Sequence, residues 1–314
     1  MQNNHKKAPH SKDNPLKFNV TEESQLMDFL MKKLDGISRS KVKRMLANKV
    51  VSVNGKRTTQ FDFALQRGMT VEISKPTAKE RFQTPKLQIV YEDKYIVVID
   101  KREGLLTNSP TKERETAQSI LNDYFIATQQ RCRAHTIHRL DRDTSGLMLF
   151  AKSKDVALKF EENWKETVYD RRYVAVVCGE MEKQSGTVES WLKDNKAFIT
   201  YSSPTDNGGK FAQTYYETLL VNRNYSLVEL RLQTGRKNQI RVHMADIGHP
   251  VVGDPKYGPS TGSGTSGPYD NSLGRLCLHA YKLCFHHPYK DKDMEFETPF
   301  PAVFEKPFPK KRAY

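Results

Sequence analysis

Two carboxylates in this chain stand where charge could do chemistry. The stretch Ile137-His138-Arg139-Leu140-Asp141-Arg142-Asp143-Thr144-Ser145-Gly146 sets them among two arginines and a histidine, then closes on a turn signal. Asp141 follows an apolar residue and precedes that turn, so it can sit at the edge of a core with a cation beside it, as a nucleophile or base requires. The plainer reading is an exposed turn with local ion pairs. Asp143 lies two residues on, and its type and place suit turn stabilisation or contact with a charged ligand better than direct chemistry. A second charged cluster, Gln233-Thr234-Gly235-Arg236-Lys237-Asn238-Gln239-Ile240-Arg241-Val242-His243-Met244, follows downstream. There Ile240, Met244 and Ile247 have helical spacing with Gly248 as a stop, so Arg241 sits in the first turns of a short helix.

The elements around Asp141 are legible. Leu87–Tyr91 and Tyr95–Ile99 form two β-rich segments separated by Glu92-Asp93-Lys94, which predicts a hairpin. Ala117, Ile120, Leu121, Tyr124 and Phe125 have helical spacing. Leu147 to Ala151 reads as a buried strand, after which Ser153 caps a helix that turns Ala157, Phe160 and Trp164 inward. Arg171 to Gly179 reads as a central strand, with further strands around Phe198–Tyr201, Thr214–Leu220 and Val228–Leu232, and an apolar strand or strand end at Arg275–Ala280. Regular βαβ alternation is missing from this pattern, which argues against a doubly wound fold.

Upstream lies a different unit. Leu26, Phe29, Leu30 and Leu34 share a helical face that ends near Gly36, and Ser38 or Ser40 caps a second helix with Val42, Met45 and Leu46 inward. Arg39, Lys41, Lys43 and Arg44 occupy that helix's outer face. A strand then runs through Val50–Val53 into the hairpin turn Asn54-Gly55, with a later strand at Met69–Ile73.

Composition bounds the function. A chain of 314 residues suits two domains, and its 37% hydrophobic and 28% charged residues suit a water-exposed globular protein. No apolar run approaches a membrane span, and the amino terminus lacks the apolar core of a signal peptide, so a cytoplasmic location is expected. Cys132, Cys178, Cys277 and Cys284 are scattered, without the close pairs of zinc or redox motifs, which predicts free thiols. The net charge of +14 calls for a polyanionic partner, most simply nucleic acid, though an acidic membrane surface would attract the same charge. Residues 1–80 hold 16 Lys and Arg against 8 Asp and Glu, so positive density is concentrated at the amino end.

The upstream unit, with its core "SRSKVKRMLANKVVSVNGK", resembles the S4 RNA-binding domain from Ser24 through Ile73. From Leu87 onward the chain resembles the RluA family of RNA pseudouridine synthases. The segments "HRLDRDTSGLMLFAKS", "RRYVAVVCGE", "KFAQTYYE", "LQTGRKNQIRVHMADIGHPVVGDPKYG" and "RLCLHAYKLCFHHP" occur in the family's order. The expected architecture is α+β: a disordered basic arm (1–15), a small S4-like α/β domain (16–75), a linker (76–86), and a mixed, mainly antiparallel β-sheet catalytic domain with flanking helices (87–314).

The resemblance implies isomerisation of uridine to pseudouridine in structured RNA, with large-subunit (23S-type) ribosomal RNA favoured over transfer RNA, a monomer by default, and neither metal nor cofactor. It implies that Asp141 is the essential carboxylate, Tyr173 stacks on the target base, and Arg241 pairs with Asp141. It further implies that Arg139 fills the gap left by the extruded nucleotide, with His138, Ile240, Arg236 and Gln239 near the substrate. Arg39, Lys41, Lys43 and Arg44 would contact RNA backbone.

Two departures stand out: Lys237-Asn238 replaces the family's usual Thr-His, and Lys101-Arg102 its usual Lys-Pro. Two rivals are a magnesium-dependent phosphatase, since Asp141-Arg142-Asp143 approximates an Asp-x-Asp motif, and a non-enzymatic RNA-binding or ribosome-assembly factor. The first would lose activity with EDTA. The second has no reason to keep Asp141, Tyr173 and Arg241 together.

Overall fold

A computed structural model describes residues 16–34, 37–47, 50–73, 84–110, 115–258 and 270–308. The chain divides into two compact units, Met1–Gln83 and Thr84–Tyr314. The expected basic arm, the expected linker up to Gln83 and, beyond its first residue, the Gly/Ser-rich loop expected at Gly258–Gly267 lie outside the described residues.

The first unit runs β1 (Leu16–Asn19), β2 (Ser24–Gln25), α1 (Leu26–Lys33), α2 (Arg39–Ala47), β3 (Val51–Val53), β4 (Lys56–Arg57), β5 (Ala64–Leu65) and β6 (Thr70–Ile73). Four strands form a sheet in the order β1-β6-β3-β4, and β2 pairs with β5. Leu26, Met27 and Leu30 of α1 pack with Val42 and Leu46 of α2 on Val51, Val53 and Val71 of the sheet. The β3–β4 turn is Asn54-Gly55, both at positive φ (48° and 79°), as a tight hairpin of this hand requires. Arg39 and Lys43 on α2 are exposed.

The second unit runs β7 (Leu87–Glu92), β8 (Ile96–Lys101), α3 (Ala117–Ala127), β9 (His135–Thr136), β10 (Ser145–Ala151), α4 (Lys154–Glu162) and α5 (Trp164–Thr167). It continues with β11 (Asp170–Cys178), β12 (Ser185–Asp194), β13 (Thr200–Ser203), β14 (Lys210–Val221), β15 (Tyr225–Leu232), α6 (Gln239–Asp246), β16 (Leu278–His287), β17 (Lys292–Glu297) and α7 (Ala302–Glu305). Eleven strands make one sheet whose main path is β13-β12-β14-β15-β11-β16-β10-β8-β7, with β17 on β16 and β9 on β10. Its pairings are antiparallel except β10 with β16, so the fold is α+β and dominated by a large, mainly antiparallel sheet.

Strands β8 and β10 are buried throughout, which explains their unbroken apolar runs. Helix α3 starts on a capping box between Thr116 and Ser119. Ser153 caps α4, but the helix stops at Glu162 because Asn163 leaves helical geometry (φ −128°, ψ 46°). Trp164 therefore opens a separate single turn, not the end of α4. Among the described residues no helix is long and apolar enough to cross a membrane.

Candidate active site

Asp141 lies in the loop between β9 and β10, and the sheet holds that loop from beneath. Thr107 clamps Leu140 from both sides, its Oγ1 donating to the Leu140 carbonyl (2.8 Å) and accepting from the Leu140 N–H (3.2 Å). Lys101, fully buried at the end of β8, donates its ammonium to the carbonyls of Arg102, Leu105 and Arg142 at 2.9–3.0 Å. Burial pulls its pKa down to about 8, against the attraction of Asp143 and Asp141. The Thr144 N–H closes the turn on the Asp141 carbonyl (3.3 Å).

Two residues farther on, the chain passes under β16. Gly146 has φ +119°, and a Cβ there would stand 2.2 Å from the Ala280 carbonyl oxygen, so only glycine admits this crossing. Ser145 beside it joins a buried chain: Arg275 Nη2 donates to Ser145 Oγ (2.7 Å), which meets His279 Nδ1 (2.7 Å), and His279 Nε2 meets Thr298 Oγ1 (3.0 Å).

The loop faces a cleft of about 380 Å³ whose lining includes Asp141, Tyr173, Arg241, Arg139, His138, Ile240, Arg236 and Gln239. Six cations, Arg139, Lys165, Arg171, Arg236, Lys237 and Arg241, line it with one carboxylate, Asp141. Asp141 keeps 27% of its side-chain surface exposed. Asp143 does not line the cleft; its carboxylate takes the neighbouring Arg142 guanidinium at 3.1 and 3.3 Å.

Tyr173 sits on β11 between Leu230 of β15 and Ala280 of β16, at an irregularity between Arg172 and Tyr173 that re-aims the strand. Its ring is buried, and burial, reinforced by the charge of Asp141, pushes the hydroxyl above the ordinary tyrosine value despite Arg171. The phenol is therefore neutral and presents an aromatic surface.

Arg241 projects from the first turn of α6. One nitrogen, Nη1, stands 3.8 Å from Asp141 Oδ2 and 3.1 Å from Asn238 Oδ1. Its other edge grips Asp254, with Nε to Oδ2 at 2.7 Å and Nη2 to Oδ1 at 2.6 Å. Burial lowers the guanidinium pKa, but the hydrogen bonds and charge of Asp254 outweigh it and hold the group above the ordinary arginine value. Asp254 is buried and accepts further from the N–H groups of Lys256 and Tyr257.

Asn238, half of the first sequence departure, caps α6 in the left-handed conformation (φ 55°) that asparagine tolerates better than most residues. Its amide nitrogen donates to Tyr257 Oη (3.1 Å), and the Tyr257 ring lies 5.2 Å from the Arg241 guanidinium carbon. At the second departure, the Arg102 N–H donates to the Lys86 carbonyl (2.9 Å), a bond no proline could make.

Gln239 and His138, both expected near the substrate, line the cleft but differ in what they have left to offer. Gln239 is buried and its amide is fully used: its nitrogen donates to the Gln213 carbonyl and Thr214 Oγ1, and its oxygen accepts from Thr234 Oγ1 and the Arg236 N–H. That exhausts a carboxamide's capacity, so Gln239 braces the turn before α6 and has nothing left for RNA. His138 spends Nε2 on the Leu149 N–H (3.0 Å), and burial with the nearby Arg171 charge lowers its pKa to about 3, so the ring is neutral, lines the cleft and keeps Nδ1–H without a partner among the described residues. The side chains of Lys41 and Arg44 lie outside the described residues.

Sequence reasoning did not single out Asp254, Thr107 or Tyr257. Asp254 carried a signal, an acidic residue between Gly253 and Pro255 in an otherwise apolar run, yet nothing in the sequence connected it to Arg241. Among the described residues no cluster of histidine, cysteine or acidic groups could hold a metal ion.

A mainly antiparallel sheet carrying a carboxylate in a cation-lined cleft defines an enzyme site suited to a polyanionic substrate. Residues 95–246 match the RNA pseudouridylate synthase family. An uncharacterized RNA pseudouridine synthase of Mycoplasma pneumoniae is 33% identical over 91% of this chain and 92% of its own length. The ribosomal large subunit pseudouridine synthase D of Escherichia coli O157:H7 is 35% identical over 84% of this chain and 83% of its own. Among solved structures, human RNA pseudouridylate synthase domain containing 1 superposes with a TM-score of 0.54 at 26% identity, covering 68% of this chain and 83% of that one. The chain belongs to the RNA pseudouridine synthase family, and it is an enzyme that acts on RNA.

Proposed function

We propose that Asp141 is the catalytic carboxylate for conversion of uridine to pseudouridine, and that the target lies in large-subunit ribosomal RNA. The observation that carries the first part is the placement of Asp141 as the one carboxylate among six cations lining the cleft, 3.8 Å from Arg241. Isomerisation breaks the C1′–N1 bond, turns the free uracil, forms a C1′–C5 bond and moves the C5 proton to N1. Nothing is oxidised or reduced. Asp141 either attacks C1′ or removes the 2′ proton, and both routes need an anion that its neighbours stabilise without capturing. Arg241 meets that requirement because Asp254 holds its other edge.

Tyr173 stacks on the uracil while it turns, and Ile240 closes the apolar side. The base first leaves its stack at a cost of a few kcal/mol. Arg139, exposed at the cleft, takes the vacated place in the RNA, and Arg236 holds backbone.

The first unit acts as an S4-like RNA-binding domain through Arg39, Lys41, Lys43 and Arg44, supplying affinity with little sequence information. The ribosomal target is supported by the similarity to ribosomal large subunit pseudouridine synthase D and by this accessory unit. The four free cysteines fit a reducing cytoplasm. Pseudouridine mapping in total RNA from a strain lacking the gene tests the target: loss of a large-subunit site supports it, and loss confined to transfer RNA replaces it.

A further inference from the structure

The β12–β13 turn presents an aromatic ring that the fold does not bury. Asn195 builds the turn, its Oδ1 accepting from the N–H groups of Ala197 and Ile199 (both 2.9 Å) while its carbonyl accepts from the Phe198 N–H (2.9 Å). Phe198 occupies the left-handed position, φ +58°, and is 74% exposed. Glycine or asparagine would take that position without strain, whereas a bulky side chain takes it at a cost. Burial does not offset the cost here.

The turn is anchored to the candidate active site. Lys237, which lines the cleft, donates to the Phe198 carbonyl (3.1 Å), pairs with Asp194 (2.7 Å) and lies 5.9 Å from the Phe198 ring centre. Lys256 donates to the same carbonyl (3.0 Å). The Thr200 N–H donates to Tyr257 Oη, the oxygen that also receives Asn238, the cap of the Arg241 helix. An exposed ring beside Lys237, with Lys256 on its carbonyl and exposed Lys196 two residues earlier in the turn, is the chemistry that holds an unpaired nucleotide, with the ring taking the base and ammonium groups the phosphates.

We infer that Phe198 is a stacking platform for an unpaired base of the RNA substrate, flanking the nucleotide that enters the cleft. This rests on the cleft receiving the target uridine. It also gives Lys237 a role: it fixes the platform against the cleft.

The test uses the full chain and total RNA, labelled with 5-tritiated uridine, from cells lacking the gene. Kd by filter binding and tritium release are measured together. Phe198→Gly is expected to raise KM and Kd by roughly 5- to 150-fold, the range for losing one stacked base, with kcat unchanged. Phe198→Trp should restore both constants. The melting temperature of Phe198→Gly should equal or exceed the parent's, because the strain is relieved. Ile126→Ala, which removes another side chain 74% exposed, should change nothing.

Equal KM and Kd for Phe198→Gly and parent would overturn the inference, as would a loss that Phe198→Trp leaves unrepaired. Dissociation of a parent dimer by Phe198→Gly with RNA constants unchanged would overturn it in favour of self-association. If the parent itself releases no tritium, the catalytic reading fails, while the Kd ratio still decides the role of Phe198.

Discussion

Arg241 gives two nitrogens to buried Asp254 at 2.6 and 2.7 Å and leaves a third 3.8 Å from Asp141. The asymmetry separates two jobs that a simple ion pair would merge. A tight, bidentate Arg241–Asp141 pair would occupy the lone pairs that the proposed chemistry of Asp141 requires free. Here Asp254 absorbs the guanidinium's geometry, and Asp141 receives its field.

Asp254→Asn should therefore damage both folding and turnover. Removing one partner of a buried pair costs about 3–5 kcal/mol. We expect a loss near the lower end, because the amide oxygen still accepts from the N–H groups of Lys256 and Tyr257, together with a fall in kcat and little change in KM. Urea unfolding and tritium-release kinetics check it; a loss below about 1 kcal/mol with unchanged kcat would contradict the positioning role.

Gly146→Ala and Gly248→Ala should separate steric from conformational cost. Both residues have positive φ, but a Cβ at Gly146 meets the Ala280 backbone, whereas at Gly248 nothing lies within 4 Å. Gly248→Ala is expected to cost about 1–2 kcal/mol. Gly146→Ala should cost clearly more and lower activity, since the β10–β16 crossing carries the Asp141 loop. Similar melting temperatures for the two variants would refute this.

Three histidines that burial holds neutral make the fold sensitive to acid: His138, whose pKa burial and Arg171 lower to about 3, and two more. Burial lowers the pKa of His243 to about 4 and, with the charges of Arg275 and Arg102, that of His279 to about 3. Unfolded imidazoles protonate near pH 6.5, so the unfolded state binds more protons as pH falls below that value. The stability present above pH 6.5 is lost on acidification, by up to about 1.4 kcal/mol per pH unit for each histidine. Urea midpoints should fall between pH 7 and 5, and His243→Gln should flatten the fall. A pH-independent midpoint for the parent would rule out neutral burial.

On the first unit, exposed Arg39 and Lys43 should bind phosphate. Their double alanine variant is expected to lower RNA affinity and reduce the slope of log affinity against log salt by roughly 2. An unchanged slope would remove α2 from the RNA surface.

How much of this was legible depended on whether a feature is local. The loop around Asp141, the strand of Tyr173 and the helix of Arg241 are continuous segments whose apolar spacing and turn residues announce them. Strand β12 was missed because its first five residues, Ser185–Glu189, bury no side chain fully, and β17 for the same reason along its whole length. Trp164 continues the helical period of α4 in sequence, yet Asn163 breaks the backbone first. Gln239 looked available as a polar residue beside Arg241, and only the fold brings it against Thr214 and Thr234. Asp254 lies 13 residues past Arg241, and their meeting depends on the segment after α6 folding back onto that helix's first turn.

Asp141→Asn tests the chemistry assigned to Asp141 most directly, because the amide keeps the shape and removes the anion. With 5-tritiated uridine RNA from cells lacking the gene, the variant is expected to keep RNA affinity close to the parent's and to release no tritium above background. Tritium release at the parent's rate from the Asp141→Asn protein would contradict it.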